Sequence, residues 1–117
     1  MDRQKTGQDA EALAAVFLQD AGAEILLRNY RCRSGELDIV ALQKSILIIA
    51  EVRLRSSDDY GGAAASITWR KQRRIVRAAR HLLATRRNLA DLPVRFDALI
   101  VHADQRPVEW LKSAFDA

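Results

Sequence analysis

The sequence predicts an α/β fold, a mixed central sheet with flanking helices in the order α-β-β-β-α-β-β. Three observations lead there. Two stretches, one near the N-terminus and one in the second half, carry apolar residues at helical spacing. Between them lie three runs rich in Ile, Leu and Val, set apart by turn residues. The last of these runs holds five apolar residues in succession, Ile46-Leu47-Ile48-Ile49-Ala50, as expected of a central strand buried on both faces.

Thr6-Gly7-Gln8-Asp9 has the pattern of a helix N-cap. Ala10, Leu13, Ala14, Phe17, Leu18 and Ala21 then recur on one helical face, which places the first helix at about residues 7–21 with Gly22 as its stop. Glu24 to Cys32 reads as the first strand and Ser34-Gly35 as a turn. Glu36 to Leu42 is the second strand, Gln43-Lys44-Ser45 a short hairpin loop, and Ser45 to Val52 the third strand. Residues 56–65, with Gly61-Gly62, read as a flexible loop. Ile67 to about Thr85 forms a second helix with Ile75, Ala79, Leu82 and Leu83 as its apolar stripe. Val94 to Val101 is a further strand and Val108 to Leu111 a short last one. The single helix between the third and fourth strands permits a crossover, hence a mixed sheet.

A chain of 117 residues fits one domain over residues 1–117, and its 49% hydrophobic content is enough for a core. No apolar run approaches the roughly 18 residues of a membrane span, and no secretory signal pattern precedes the first helix. Cys32 is the sole cysteine, which excludes an intrachain disulfide and suits a reducing cytoplasm. The net charge of +4 and a pI of about 9.7 favour a polyanionic partner.

Two acids stand out because each ends or interrupts an apolar strand. Asp38 lies among Leu37, Ile39 and Val40, and Glu51 follows the apolar run of the third strand. Carboxylates are costly to bury without compensation, and a metal ion is one way to supply it. If the second and third strands pair as a hairpin about Lys44, position 38 lies opposite roughly 50–51, so Asp38 and Glu51 sit side by side. Glu51, Arg53 and Arg55 then share one face. A hard divalent ion, Mg²⁺ or Mn²⁺, suits such oxygen ligands. The alternative is an ordinary sheet edge at which these acids pair with Arg53, Arg28 or Arg31. Glu11 flanks the apolar face of the first helix. It is either a third acid of the same site or a solvated first-turn residue.

The second helix carries the basic charge. From Arg70 to Arg87 there are eight Lys or Arg residues and no acid. Arg70, Arg73, Arg74, Arg77 and Arg80 form a stripe opposite the apolar one. Solvated helix faces usually mix signs, so a purely cationic face points to phosphate contact, with an acidic protein or plain solvent as the alternatives. Trp69 opens this helix and is assigned to the core, with stacking on a base as the alternative. His81 and His102 have no partner at metal-ligand spacing and read as structural or surface residues. A serine nucleophile elbow and a phosphate-cradling Gly-rich loop are both absent.

Arg28-Asn29-Tyr30-Arg31, then Gly35-Glu36-Leu37-Asp38-Ile39-Val40-Ala41, then Glu51-Val52-Arg53-Leu54-Arg55 resemble the YraN family. Gly7, Glu11, Gly61, Lys71, Arg95-Phe96-Asp97 and Ala114-Phe115 extend the resemblance over nearly the whole chain. The resemblance implies a restriction-endonuclease-like fold, similarity to Holliday-junction resolvases, and Mg²⁺-dependent hydrolysis of phosphodiester bonds in DNA, branched DNA included. It maps Asp38 and Glu51 onto the metal-binding acids, with the Val52 carbonyl as a third ligand and Glu11 acting through water. Lys71 and the arginines beyond it, Arg70, Arg74 and Arg77, would hold the flanking nucleic acid, and a homodimer is an expectation because related resolvases act as dimers. One position departs from the pattern. Arg53 stands where a catalytic lysine is expected, and arginine can offset phosphate charge but cannot act as a base. Three functions are therefore carried forward: a metal-dependent nuclease, a nucleic-acid-binding module with weak or no catalysis, and an adaptor that docks an acidic protein.

Overall fold

The computed structural model describes the backbone of residues 3–55 and 67–117, with side chains from Asp9 onward in that range. The loop expected at 56–65, and Gly61 with it, lies outside the described residues. The elements are α1 (Arg3–Asp20), β1 (Glu24–Cys32), β2 (Gly35–Gln43), β3 (Ile46–Arg55), α2 (Trp69–Thr85), a 3-10 turn (Arg87–Leu89), β4 (Val94–His102) and β5 (Glu109–Phe115). The five strands form one sheet in the order β1-β2-β3-β4-β5. Only the β3–β4 pair, bridged by α2, is parallel. The expected mixed sheet and element order are both present, and β3 is the central strand.

A layer of side chains covers each face of the sheet. α1 packs Ala10, Ala14, Ala15 and Leu18 on Ile39, Ala41, Ile48, Ala50, Leu99 and Val101. α2 packs Ile75, Val76, Ala79 and Leu82 on Val40, Leu47, Ile49, Phe96 and Ile100. β3 thus alternates between the two cores, which is why its apolar run is unbroken. No helix among the described residues is long and apolar enough to cross a membrane.

Several boundaries move. α1 begins at Arg3, so the expected cap at Thr6 to Asp9 lies within the helix. An N-cap residue needs a non-helical backbone, and the helix-favouring Arg3-Gln4-Lys5 carries the helix past it. Gly22 does stop α1. It sits at φ +96° and the Ala23 amide donates to the Leu18 carbonyl at 2.9 Å. Leu13 is 57% exposed, because the alanines of α1 bring the helix close to the sheet over a narrower face than its apolar residues define. α2 begins at Trp69, capped by Thr68, whose hydroxyl accepts from the Lys71 amide at 3.1 Å. Trp69 is 74% exposed, so its assignment to the core is wrong. Seven residues before Val76 it shares that residue's side of the helix, but it stands in the first turn, ahead of the first buried residue of α2, Ile75.

The last strand is longer than the expected Val108 to Leu111, and a buried acid explains it. Asp97 on β4 is 0% exposed. Its carboxylate accepts from the Arg95 guanidinium at 2.9 Å, the Trp110 indole at 2.8 Å and the Ser113 amide at 2.9 Å. Ser113 adopts φ +54°, and the β4–β5 register shifts between Phe96 and Ala98. Asp97 fastens this bulge, so β5 continues to Phe115, whose ring stacks on Phe96 at 5.1 Å.

Removing the Asp97 carboxylate strands two donors and a guanidinium. Asp97→Ala is expected to cost about 3 kcal/mol or more in urea unfolding, and Asp97→Asn clearly less, because the amide oxygen still accepts.

Candidate functional site: paired acids at the end of the central strands

The β2–β3 hairpin turns at Lys44 and Ser45, both at positive φ (50° and 63°), as a two-residue connection requires. Its register runs from Gln43 opposite Ile46 to Ile39 opposite Ala50. Beyond Ile39 the recorded pairing stops. The Val52 amide, next in line to seek a partner on β2, donates instead to Asp38 Oδ2 at 2.9 Å. Asn29 on β1 takes φ +55° at this level. Leu37 joins the α2-side core although Ile39, two residues on, faces α1. The strand ends are therefore twisted apart around Asp38.

Glu51 sits in that opening, 5% exposed. Its Oε1 accepts from Lys71 Nζ at 2.6 Å, and Arg53 Nη1 lies 4.0 Å away. Burial is the main cause that raises its pKa, followed by repulsion from Asp38; Lys71 pulls the other way, and the balance is a value of about 7. The closeness of the Asp38 carboxyl adds to the rise. The two acids thus lie side by side as the hairpin register requires.

Glu11 reaches the same region from α1. It is 7% exposed, so the solvated first-turn reading fails. Arg28 Nε donates to its Oε1 at 3.2 Å. Burial raises its pKa, with repulsion from Asp38 next, and Arg28 offsets part of this. Two adjoining clefts, about 550 and about 410 Å³, share Glu36, Asp38, Glu51 and Lys71 in their walls; Arg74 lines the first and Glu11 the second.

Asp38, Glu51 and Arg53 are therefore together, with Glu11 alongside. Of the four α2 residues expected to hold nucleic acid, Lys71 turns inward to Glu51, Arg74 borders the cleft, and Arg70 and Arg77 are exposed beyond it. Helical spacing carried a signal for Lys71 that the charge count hid. It lies four residues before buried Ile75, so it faces the sheet. Arg31 pairs with Glu36 at 3.8 Å rather than with the two central acids. His81 is exposed and hydrogen-bonds the Tyr30 hydroxyl, while His102 meets Glu109 at 3.0 Å. Gly35 brings the hairpin against α2, since a Cβ there would stand 3.2 Å from the Arg74 carbonyl oxygen.

The donor set suits a hard divalent cation. Two carboxylates, Glu51 buried and Asp38 half-buried, repel one another, and both would supply oxygen. Among the described residues, no cluster of three acidic, histidine or cysteine side chains surrounds such an ion. Asp38 and Glu51 are the residues that would hold it, with the remaining positions left to solvent or a phosphate.

A helix, three antiparallel strands, a crossover helix and a parallel fourth strand constitute a restriction-endonuclease-like fold. The chain belongs to the family described as uncharacterised protein family UPF0102, the YraN family, whose model matches residues 10–101. It is similar to a UPF0102 protein of Nitrosomonas europaea, 48% identical over 94% of this chain and 92% of that one. A Legionella pneumophila UPF0102 protein is 39% identical over 97% of both chains. A Cupriavidus taiwanensis UPF0102 protein is 48% identical over 98% of this chain and 86% of its own.

The Glu51 carboxyl makes stability depend on pH. Its folded-state pKa of about 7 stands above the ordinary 4.5. The stability it contributes is full below about 4.5 and is lost as pH rises through about 7, on the order of 3 kcal/mol in all. Glu51→Gln should therefore be the more stable protein at pH 8 in EDTA, and its advantage should shrink towards pH 4.5. Urea titrations at the two pH values check this.

Proposed function

We propose that this protein is a metal-dependent endonuclease acting on DNA, with Mg²⁺ or Mn²⁺ held by Asp38 and Glu51. The observation that carries the reading is buried Glu51 beside half-buried Asp38, with two cations next to Glu51, Lys71 at 2.6 Å and Arg53 at 4.0 Å. Such a pair suits an ion and a phosphate together. When bound, a divalent ion there makes water more acidic and offsets charge on the phosphate. Asp38 is fixed for this by the Val52 amide, so its orientation needs no rearrangement.

Arg53 would contact the scissile phosphate as a fixed positive charge. Lys71 adds a second positive charge beside the acids, held 2.6 Å from Glu51. Its cap by Thr68 and its contact with Glu51 aim it into the cleft. Glu11, braced by Arg28, would orient water at the rear of the site. Arg70, Arg74 and Arg77 would hold the flanking backbone.

The second reading is a nucleic-acid-binding module without cleavage, favoured by Arg53 itself. It keeps the basic helix and loses the chemistry. Incubation with linear, single-stranded, flapped and four-way DNA in Mg²⁺, Mn²⁺ or EDTA separates the two. Metal-dependent cleavage supports the nuclease. Binding without cleavage of any form supports the module, and absence of binding overturns both in favour of an adaptor.

Glu51→Gln should abolish cleavage and spare binding. Lys71→Met should slow cleavage by about 100-fold or more, the usual scale for losing one preorganised donor to the reacting group, while Arg53→Lys should cut at least as fast as the parent. Arg74→Glu with Arg77→Glu should weaken binding to every DNA form. In a salt titration on duplex DNA, each lost phosphate contact should reduce the log–log slope by about 0.9.

A further inference from the structure

Trp69 is the most exposed large apolar side chain among the described residues, at 74%. Large aromatic rings seldom stand this far into water, and elsewhere in the chain Trp110 is half-buried with its indole bonded to Asp97. Trp69 is the first residue of α2, and the Thr68 cap fixes the turn that carries it. One turn on, the Arg73 guanidinium lies 5.8 Å from the ring centroid. The ring is thus held by a cation on a helix face that carries only basic charge, and most of it remains open to solvent.

We propose that Trp69 is a stacking platform for an unpaired base, so that the site takes DNA with a single-stranded or splayed nucleotide beside the cleaved bond. This rests on the nuclease reading for the cleavage step but not for the binding. The geometry fixes which nucleotide is meant. At about 100° per residue, Trp69 lies about 160° around α2 from Lys71. Lys71 reaches inward to Glu51, whereas Trp69 is exposed and lies beside Arg73. A strand whose phosphate meets the acid pair must cross the N-terminal end of α2 to place a base on Trp69. The stacked base therefore belongs to a neighbouring nucleotide, and Arg70 and Arg73 stand beside that path. In continuous duplex each base already stacks within the helix and offers Trp69 no free face. The ring therefore adds affinity only where pairing is broken, and base–aromatic stacking tolerates any sequence.

The test compares the full chain with Trp69→Ala and Trp69→Tyr on an oligo-dT strand, a forked duplex and a blunt duplex at one salt concentration. Trp69 is exposed, so neither substitution disturbs the core. Trp69→Ala is expected to lose about 10-fold or more in affinity for the strand and the fork, and less than twofold for the blunt duplex. Trp69→Tyr should keep most of the parent's affinity. Oligo-dT should quench tryptophan emission in the parent and leave it unchanged in Trp69→Ala, whose remaining indole is Trp110. Equal losses on all three DNAs, or no quenching in the parent, would overturn the inference and leave the nuclease reading intact. Failure of the parent to bind any of them would overturn both.

Discussion

One hydrogen bond organises the site, from the Val52 amide to the Asp38 carboxylate. In a regular ladder that amide would bond a carbonyl on β2, and β2 and β3 would stay zipped to their ends. Here a side chain takes the backbone's place. The strands separate without leaving a buried donor unpaired, and Glu51 occupies the gap. The same bond holds Asp38 beside Glu51, so one interaction both opens the cleft and sets its charge.

The two helices have different tasks around that opening. α1 lies close on alanines and brings Glu11 to the rear of the acids. α2 brings cations to the front, Lys71 inward and the arginines outward. Behind both, Asp97 ties β4 to β5 through two donors on β5, the Trp110 indole and the Ser113 amide, while Arg95 on its own strand completes its partners. Asp97 is buried but fully partnered, whereas Glu51 keeps a raised pKa despite Lys71. That difference in satisfaction separates a structural acid from a candidate site acid.

Much of this was legible in the chain. The five-residue apolar run marked β3, and counting back from the Lys44 turn set position 38 opposite roughly 50–51, one step past the last pair, Ile39–Ala50. Periodicity found both helices because each buries a stripe. It misplaced Leu13, since spacing reports which residues share a face and not whether a partner covers that face, and the aromatic character of Trp69 misplaced that residue. The start of α1 was missed because propensity around Arg3 outweighed a weak cap pattern. The full length of β5 depends on a contact between Asp97 and Ser113, sixteen residues apart, which local pattern does not encode. The Lys71–Glu51 and Arg28–Glu11 pairs are likewise long-range, although the first had a helical-phase signal.

Gly35 has a mechanical consequence. With no side chain there, the β1–β2 turn comes so close to α2 at Arg74, within one helical turn of Lys71, that a Cβ would crowd the Arg74 carbonyl. The turn acts as a stop that sets how far the helix can approach the sheet. The lysine's flexible stem spans the distance that remains, and its amine closes on the Glu51 carboxylate at 2.6 Å. How near the basic helix can come to the acids is therefore limited at a residue that carries no charge.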